Sequence, residues 1–383
     1  MKELSEIREE IDRIDQELLR LYETRMGLAQ EVAAYKIANN KNVYDRVREQ
    51  EKLDRLSDMA SDDFTRQGVL ELFEQIMSTS RKKQYKILAE KGLMDSLHYT
   101  CCEQFDYTNK RIVFQGVEGA YSQKAMYAFF GSKCKGEAVA TWREAMEEIQ
   151  SGMADYAVLP IENSSAGIVA ENYDLLIEYD VSIVGEQVIK IDHALLGLPG
   201  ASLSDIKTVY SHPQALMQCS HFLEQEHPEF ESKSMKNTAI SAQKIKTDHD
   251  ISQAAIAGIT NAKIYDLHVL AEAIQDNVEN ETRFIIVSKE HKYLKSADKV
   301  SLCFELPHEK GSLYHILSHF IFNGLNMTKI ESRPRKGKNW EYQFFVDFQG
   351  NLAEDDVLSA LRGLKEETIS FKILGNYKAY EAC

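Results

Sequence analysis

The chain has 383 residues, of which 44% are hydrophobic, and a formal net charge of −15. This length allows two or three domains, and the negative charge argues against nucleic acid and anionic membrane surfaces as partners. No apolar run approaches the roughly 18 residues of a membrane span, and the amino terminus lacks a signal-peptide core. The six cysteines show neither a Cys-x-x-Cys pair nor metal-ligand spacing, which predicts a cytoplasmic protein with free thiols and no metal site.

Residues 1–90 are predicted to be all helical, with a first helix over about residues 3–38 and further helices starting near Asp45 and Asp63. Apolar residues recur along the first helix in steps of four and three, which places them on one face: Ile7, Ile11, Ile14, Leu18, Leu21, Leu28 and Val32. At 1.5 Å per residue this helix is about 54 Å long, too long for the core of such a unit. We therefore expect an intertwined dimer in which a second copy packs along it.

Cations interrupt this apolar face. Arg25 lies on it, and Lys36, eleven residues on, points within about 20° of the same direction. A cation on a packed face is costly unless an anion meets it. An ion pair within the protein would explain one arginine, whereas two aligned cations favour an anionic ligand. Arg8 is about 100° away from Arg25, so it cannot serve the same pocket within one helix but could reach a pocket of a dimer partner.

The candidate binding groups of the helical segment are cations and hydrogen-bonding side chains: Arg8, Arg25, Lys36, Asp45, Arg48, Glu49, Ser80 and Gln84. Ser80 and Gln84 are i,i+4 neighbours that continue the apolar face of the third helix. The segment offers no obvious general base and no nucleophile beside a histidine. Such a set suits a reaction that needs only positioning and charge stabilisation.

Residues 91–110 have weak periodicity and are predicted to be a linker. From residue 111 to residue 289, strands alternate with helices: strands at 112–114, 156–159, 181–184, 208–210, 254–257 and 283–288, and helices at 122–130, 171–179, 213–225 and 238–246. This alternation predicts a mostly parallel sheet covered by helices. About 180 residues in two such runs indicate two lobes with a cleft between them.

Four polar loops follow strands of this α/β segment, at residues 116–122, 160–167, 211–218 and 281–284. Each loop alone is more typical of a turn, but four together indicate the rim at which ligands bind. The candidates are Asn163, Ser164, Ser211, Gln218, Thr282, Arg283 and Phe284. Neither Gly-x-Gly-x-x-Gly nor a Walker sequence is present, so no nucleotide cofactor is expected.

Residues 298–383 follow the order βαββαβ, the ferredoxin-like split βαβ: strand 300–306, helix 312–322, strands 327–332 and 342–348 across a basic turn at 335–338, helix 357–364 and strand 369–374. Candidate ligand-binding residues are Gly311, Ser312 and Leu313 at the helix start and Glu331, Ser332 and Arg333 at a strand end. His315 and His319 are i,i+4 neighbours without the glutamate of a zinc motif, so zinc is not expected there.

Residues 1–90 resemble the all-helical chorismate mutase of bifunctional chorismate mutase–prephenate dehydratases, through the eight candidates named above. The resemblance implies that the arginines and the lysine bind the two carboxylates of chorismate. It implies that Lys36 and Gln84 bond the ether oxygen, and that Glu49 and the backbone near Asp45 hold the ring hydroxyl. Arg25, Lys36 and Gln84 are then the catalytic residues, and Arg8 reaches across the dimer.

Residues 111–289 resemble prephenate dehydratase, with Thr282-Arg283-Phe284 as the most specific match. The resemblance implies that Thr282 helps the ring hydroxyl leave while CO₂ departs, and that Arg283 holds a carboxylate. Asn163, Ser211 and Gln218 match pocket positions. Val117 stands where the family has a proline, and Ala120 stands where it has a serine or threonine. The loss of that hydroxyl leaves the role of the glycine loop in substrate binding undecided.

The C-terminal segment resembles an ACT regulatory domain, because residues 331–334 and 311–313 match its phenylalanine-binding motifs; Lys378 departs from the usual proline. A plain structural module is the alternative. Together the resemblances imply a cytoplasmic homodimer or higher oligomer that converts chorismate to prephenate and then to phenylpyruvate without a cofactor, inhibited by L-phenylalanine. A mutase–dehydrogenase would need a dinucleotide fingerprint, which is absent. A catalytically inactive prephenate or amino-acid sensor would be expected to lack Arg25 or Thr282, and both are present.

Overall fold

Three helices open the chain, and acidic N-caps set where the second and third begin. In a computed structural model that describes residues 2–93, 97–335 and 341–381, they are α1 (Leu4–Ala38), α2 (Arg46–Asp58) and α3 (Asp63–Glu90). Asp45 accepts a hydrogen bond from the backbone N–H of Arg48, and Asp62 accepts one from Thr65. The predicted helices are confirmed.

The predicted apolar face of α1 lies at the surface of the single chain. Its buried residues are Met26, Ala29 and Ala33. Ile11 and Leu18, in contrast, are 49% and 53% exposed. A row of exposed aliphatic side chains on one helix is typical of a surface that meets another protein.

The α/β segment is built in two lobes. The first lobe contains β1 (Thr100–Cys102), β2 (Ile112–Gln115), α4 (Tyr121–Phe130), β3 (Gly136–Val139), α5 (Trp142–Ser151), β4 (Tyr156–Asn163), β5 (Gly167–Ile168), α6 (Ala170–Glu178) and β6 (Ser182–Lys190). The second contains β7 (His193–Gly197), β8 (Thr208–Ser211), α7 (Pro213–Gln218), β9 (Glu231–Ser234), α8 (Thr238–Asp248), β10 (Gln253–Gly258), α9 (Thr260–Ile264) and β11 (His268–Ala271). The chain then returns to the first lobe with β12 (Glu281–Ser288) and β13 (Lys292–Leu294).

Each lobe has its own sheet. The strand order is β6-β12-β4-β2-β3 in the first lobe and β11-β7-β10-β8-β9 in the second. β12 runs antiparallel to both β4 and β6, whereas β2 is parallel to β3 and β4. In the second lobe, β7 runs antiparallel to β10 and β11, whereas β8 is parallel to β9 and β10. Both sheets are therefore mixed, and the expectation of a mostly parallel sheet is wrong.

Three further features of the α/β segment differ from what the sequence predicted. The predicted linker contains β1, which pairs in parallel with β13. The helix predicted over residues 213–225 ends at Gln218 and is followed by a separate π-helical turn at Phe222–Glu226. Strands β3, β7, β9 and β11 and helix α5 had no clear pattern in the sequence.

The C-terminal segment has the predicted order βαββαβ. It comprises β14 (Lys299–Glu305), α10 (Ser312–Phe322), β15 (Met327–Pro334), β16 (Tyr342–Gln349), α11 (Asp355–Glu367) and β17 (Ser370–Tyr377). Its sheet order is β15-β16-β14-β17, with β16 antiparallel to both neighbours. Residues 336–338 of the predicted basic turn lie outside the described residues.

The chain divides into two compact units. One contains residues 1–99 together with 299–373, and the other contains residues 100–298 together with 374–383. Within the first unit, α11 packs against α3, so the helical and βαββαβ segments are in contact. In the part of the chain that the structure describes, no helix has both the length and the apolar character needed to cross a membrane.

Candidate functional site

A cavity of about 280 Å³ opens between the two lobes of the α/β unit. Its walls come from strand ends and helix starts of both lobes, among them Gln115, Gly116, Ala120, Tyr121, Ser122, Trp142, Asn163, His193, His212, Gln214, Gln218, Asn237, Thr282 and Phe284. All four predicted loops contribute to this lining. The loops at 160–167, 211–218 and 281–284 contribute Asn163, Gln218 and Thr282, and the glycine loop at 116–122 contributes Gly116 and Ala120. The structure thus brings the loops of distant segments to one site, as the alternation of strands predicted.

Thr282 is the end of a chain of hydrogen bonds in this cavity. Asn163 Nδ2 donates to Thr282 Oγ1 over 2.9 Å. Asn163 Oδ1 accepts from the backbone N–H groups of Ser165 and Ala166 over 3.0 and 2.7 Å, which fixes the orientation of the amide. Thr282 Oγ1 accepts the hydrogen bond from Asn163, so the hydroxyl proton of Thr282 can be directed at a ligand. The hydrogen bond from Asn163 also polarises this hydroxyl.

The chain continues into the second lobe. Gln218 Nε2 lies 3.5 Å from Asn163 Oδ1, and Gln218 Oε1 lies 3.1 Å from His193 Nε2. His193 Nδ1 is in turn 3.4 Å from the hydroxyl of Tyr121. Burial lowers the pKa of His193, so the imidazole is held neutral at the base of the cleft.

Strand alternation separates Arg283 from its neighbours in sequence. Thr282 and Phe284 face the cavity, and Arg283 lies on the opposite face of β12. There Arg283 Nε donates to Glu186 over 2.6 Å and Nη2 donates to the Tyr377 hydroxyl over 2.9 Å. In this structure the Arg283 guanidinium therefore neutralises a buried glutamate outside the cavity lining, and its expected contact with a substrate carboxylate stays a prediction.

Two of the predicted serines also serve the framework. Ser211 is fully buried, and its hydroxyl donates to the carbonyl of Ile256 over 2.6 Å. Ser164 Oγ accepts from the backbone N–H of Glu281 over 2.9 Å. Neither is among the residues that line the cavity; both position strand ends here, and their expected contact with substrate stays a prediction.

The glycine loop approaches the second lobe closely. Gly119 has φ of +88°, and a Cβ added there would collide with Asn261 Oδ1. Asn261 Nδ2 donates to the Gly119 carbonyl over 3.1 Å. Ala120 lines the cavity without a hydroxyl, and Ser122 next to it donates to the carbonyl of Gln115 over 2.5 Å. A side chain at position 119 would force the loop away from Asn261.

Sequence reasoning missed Trp142 and His193, and it included Tyr121 and His212 only as members of candidate loops; all four line the cavity. His193 begins β7, whose five residues are all buried, so its pattern is that of a core strand. His212 immediately precedes the Pro213 that opens α7, and its place beside the candidate Ser211 was the one signal available.

In the helical segment, Arg25 and Lys36 are half-buried on α1. Arg25 Nη1 donates to the carbonyl of Ile76 over 3.3 Å, and the Lys36 ammonium donates to the carbonyl of Val43. Burial lowers the pKa of both groups. The Glu49 carboxylate acts on both cations, but burial outweighs it, so their charges are incompletely compensated, which suits an anionic ligand.

Gln84 and Ser80 lie together on α3. Gln84 is buried, and its Nε2 donates to the carbonyl of Ser80 over 3.1 Å. Gln84 Oε1 has no hydrogen-bond partner within the described residues. A buried orphan acceptor of this kind calls for a ligand or solvent partner.

Three further candidates are at the surface of the single chain. Arg8 and Arg48 are exposed, and Asp45 serves as the N-cap of α2. Arg8 lies 17 residues from Arg25 on one straight helix, about 25 Å along its axis. Arg8 therefore cannot reach the pocket of its own chain.

Glu49 of α2 has a partner that the sequence did not reveal. The Arg81 guanidinium on α3 forms an ion pair with it, and both side chains are largely buried. Arg81 also contacts Glu367 of α11, over 2.8 Å. The site of the helical segment is thus linked to the C-terminal segment.

The two C-terminal motifs occupy different places. Gly311 is the N-cap of α10 with φ of +78°, and Ser312 and Leu313 line a cavity of about 460 Å³. Glu331 and Arg333 share the half-buried face of β15, whereas Ser332 is exposed on the other face. The described residues that line this cavity do not include the β15 motif.

Two family models match separate parts of the chain. A family model described as Chorismate mutase type II matches residues 7–85, and one described as Prephenate dehydratase matches residues 112–292. A bifunctional chorismate mutase/prephenate dehydratase of Aquifex aeolicus is 33% identical over 381 residues, which cover 98% of each chain.

Solved structures match the chain over about 70% of its length. The prephenate dehydratase of Arthrobacter aurescens in complex with L-Phe has a TM-score of 0.65 at 32% identity, covering 70% of this chain and 89% of that one. The structure of GqqA, described as a novel type of quorum quenching acylase, has a TM-score of 0.65 at 30% identity, covering 71% and 98%.

Proposed function

Since this chain belongs to the family of bifunctional chorismate mutase/prephenate dehydratases, we propose that its two activities reside in the two sites described above. The enzyme rearranges chorismate to prephenate and converts prephenate to phenylpyruvate, two steps of aromatic amino acid biosynthesis. We assign the first step to the helical segment and the second to the cavity between the α/β lobes.

The hydrogen bond from Asn163 to Thr282 carries the assignment of the dehydratase site. In this reaction the bond to the ring carboxylate breaks, its electron pair forms a ring double bond, and the ring hydroxyl leaves. The carboxylate leaves as CO₂. Thr282 donates a hydrogen bond to the ring hydroxyl as negative charge builds on it, and the departing hydroxide becomes water with a proton that comes overall from solvent. A threonine is a weak acid in water, so its effect depends on direction and on exclusion of solvent.

The mutase reaction needs no general acid or base. Arg25 and Lys36 hold the two carboxylates of chorismate, and Lys36 with Gln84 meets the ether oxygen as its bond to carbon breaks. The support is the pair of half-buried cations that donate to neutral carbonyls. Asp45, Arg48 and Ser80 complete the binding groups, and Glu49 accepts a hydrogen bond from the ring hydroxyl.

A second copy of the chain completes the mutase. The exposed apolar face of α1 supports an intertwined homodimer: Ile7, Ile11, Ile14, Leu18, Leu21, Leu28 and Val32 are all at least 39% exposed. Burying such a face stabilises association by about 25 cal/mol per Å². In that dimer, Arg8 of one protomer reaches the mutase pocket of the other protomer and supplies a cation there.

The C-terminal segment is proposed to be an ACT domain that binds L-phenylalanine and inhibits the enzyme. Its observed βαββαβ order and the two sequence motifs support this, and the structure from Arthrobacter aurescens is a complex with L-Phe. The N–H groups at the start of α10 suit the carboxylate of an amino acid. Glu331 would suit its ammonium, although the described residues that line the cavity at α10 within one chain do not include the β15 motif. The five described cysteines are free, which fits the proposed cytoplasmic location.

An acylase activity, like the one that names GqqA, has less support. Ser122 at the cavity donates to the Gln115 carbonyl, and His193 contacts Tyr121 and Gln218 instead of a serine. A serine nucleophile would need a histidine within hydrogen-bond reach.

The decisive experiment is formation of phenylpyruvate from chorismate with no nucleotide added. The proposal expects full conversion by the wild-type enzyme. Arg25→Ala should stop conversion of chorismate but leave conversion of prephenate, and Thr282→Ala should do the reverse. Loss of both activities in one folded variant would show that the sites are not separate.

A further inference from the structure

A buried ion network joins the mutase site to the C-terminal segment within the first unit. Arg81 of α3 pairs with Glu49 of α2 on one side and with Glu367 of α11 on the other, where its Nε and Nη2 donate over 2.8 and 3.2 Å. The side chains of Arg81 and Glu367 are 8% and 6% exposed. Burying such a network is costly unless each charge is compensated, so Arg81 cannot be moved independently of its partners.

Neighbouring contacts hold α11 in place against the helical segment. Glu366 accepts from the backbone N–H of Tyr44 over 2.9 Å, and the hydroxyl of Tyr85 lies 3.3 Å from the same carboxylate. His319 of α10 lies 3.2 Å from Glu367. Burial alone would raise the pKa of Glu367, but His319 and Arg81 outweigh it and lower that pKa to about 2, so Glu367 remains charged.

We propose that Arg81 is a positioning residue of the mutase: it holds Glu49 in its charged form and correct orientation, and Glu367 of the C-terminal segment controls how much of Arg81 is available to Glu49. The proposal rests on the proposed role of Glu49 as the acceptor of the ring hydroxyl. It gives the C-terminal segment a direct electrostatic contact with a group of the mutase site.

The charges around Glu49 give the sign of each effect. Burial raises the pKa of Glu49, Arg81 lowers it, and Glu367 raises it again. From α1, Lys36 and Arg25 also face Glu49 and lower its pKa. Removing the charge of Arg81 must therefore raise this pKa, and removing the charge of Glu367 must lower it.

A cavity of about 550 Å³ lies beside the network. Its walls include Glu49, Arg81 and Glu367 together with Ser312, the first residue of α10. One cavity therefore contains both a mutase residue and part of the proposed effector motif. Binding of an effector at the start of α10 would therefore alter the surroundings of the same ion network.

The test is the pH dependence of mutase kcat/KM in the full-length enzyme. Activity should fall at low pH as Glu49 becomes protonated. With Arg81→Gln the midpoint of this fall should move up by about one pH unit, and with Glu367→Gln it should move down. Arg81→Lys, which keeps the charge, should restore much of the wild-type profile.

Lys86→Met is the matched control. Lys86 joins α3 to Asp356 of α11 over 3.0 Å, on the exposed side of the same contact. This variant breaks an ion pair between the same two helices without touching Glu49, so the profile should stay at its wild-type midpoint. Prephenate turnover by each variant reports that the chain is folded.

Glu49→Gln separates the possible failures. If this variant keeps wild-type activity and profile, the role assigned to Glu49 is wrong. If it loses mutase activity while Arg81→Gln and Glu367→Gln leave the midpoint unchanged, the positioning role of Arg81 is wrong. If Arg81→Gln fails to fold, the pH midpoint of Glu367→Gln is the deciding measurement. A downward shift of that midpoint supports the proposal, and an upward shift or no shift overturns it.

Discussion

Asn163 and Thr282 face each other in register across β4 and β12, and the amide of the first donates to the hydroxyl of the second over 2.9 Å. Both residues stand on paired strands of one sheet, so backbone hydrogen bonds fix their separation. A reacting group held on rigid strands loses little orientation on binding its substrate. This rigidity supports the proposed role of Thr282, in which a weakly acidic hydroxyl assists a leaving group.

Replacement of Thr282 by valine should lower dehydratase kcat by about 100- to 1,000-fold, because the shape is kept and only the directed hydrogen bond is lost. Turnover of prephenate and of chorismate should be measured separately, and the mutase rate should not change. Thr282→Ser keeps a hydroxyl and should retain far more activity. A valine variant within a few-fold of wild type would remove Thr282 from the mechanism.

Replacement of Arg283 by methionine should act on stability more than on substrate binding. Glu186 has a side chain only 2% exposed, and Arg283 is its ion-pair partner over 2.6 Å. Removing one partner of a buried pair costs about 3–5 kcal/mol, so urea unfolding should shift strongly to lower concentrations. The double variant Arg283→Met with Glu186→Gln should recover part of the loss. A raised KM for prephenate with unchanged stability would instead support a substrate contact.

The sequence predicted the three helices of the amino-terminal segment, the βαββαβ order and the convergence of loops at the dehydratase cavity. The position of Arg283 was accessible too, since alternate residues of a strand face opposite sides, but the triplet was interpreted as one site. The contact between Arg81 and Glu367 was not accessible. The two residues are 286 positions apart, and no local periodicity encodes a pairing of that range.

His193 should make the stability of the enzyme depend on pH. Burial lowers its pKa in the folded protein, so below its ordinary value of about 6.5 the unfolded chain binds a proton that the folded chain does not. Its stabilising contribution is complete above that pH and is lost as the pH falls towards the folded pKa. The urea midpoint should therefore drop between about pH 7.5 and about pH 5.5 in the wild type, and less in His193→Asn. The exposed His268, changed to asparagine, serves as control and should follow the wild type.

Arg333→Ala should leave both activities intact and weaken inhibition by L-phenylalanine. Arg333 shares the half-buried face of β15 with Glu331, whereas Ile330 lies on the exposed face. A lost hydrogen bond to a charged group costs about 1.5–3 kcal/mol, so half-inhibition should need about 10- to 100-fold more phenylalanine. Ile330→Ala is the control from the other face. Unaltered inhibition in Arg333→Ala would exclude this residue from the effector site.

Mixing two inactive chains should restore mutase activity if Arg8 serves the partner's pocket. Homodimers of Arg8→Ala and of Arg25→Ala each lack one cation in both sites. In a mixed dimer, one site combines the intact Arg25 of one protomer with the intact Arg8 of the other, and the second site loses both. Random exchange makes half of the dimers mixed, so about a quarter of the wild-type activity should return after the chains are unfolded and refolded together. Refolding each variant alone is the control. Absence of any recovery, with mixed dimers shown to form and both homodimers inactive, would mean that both arginines act in the pocket of their own chain. An active Arg8→Ala homodimer would mean that Arg8 has no part in the reaction.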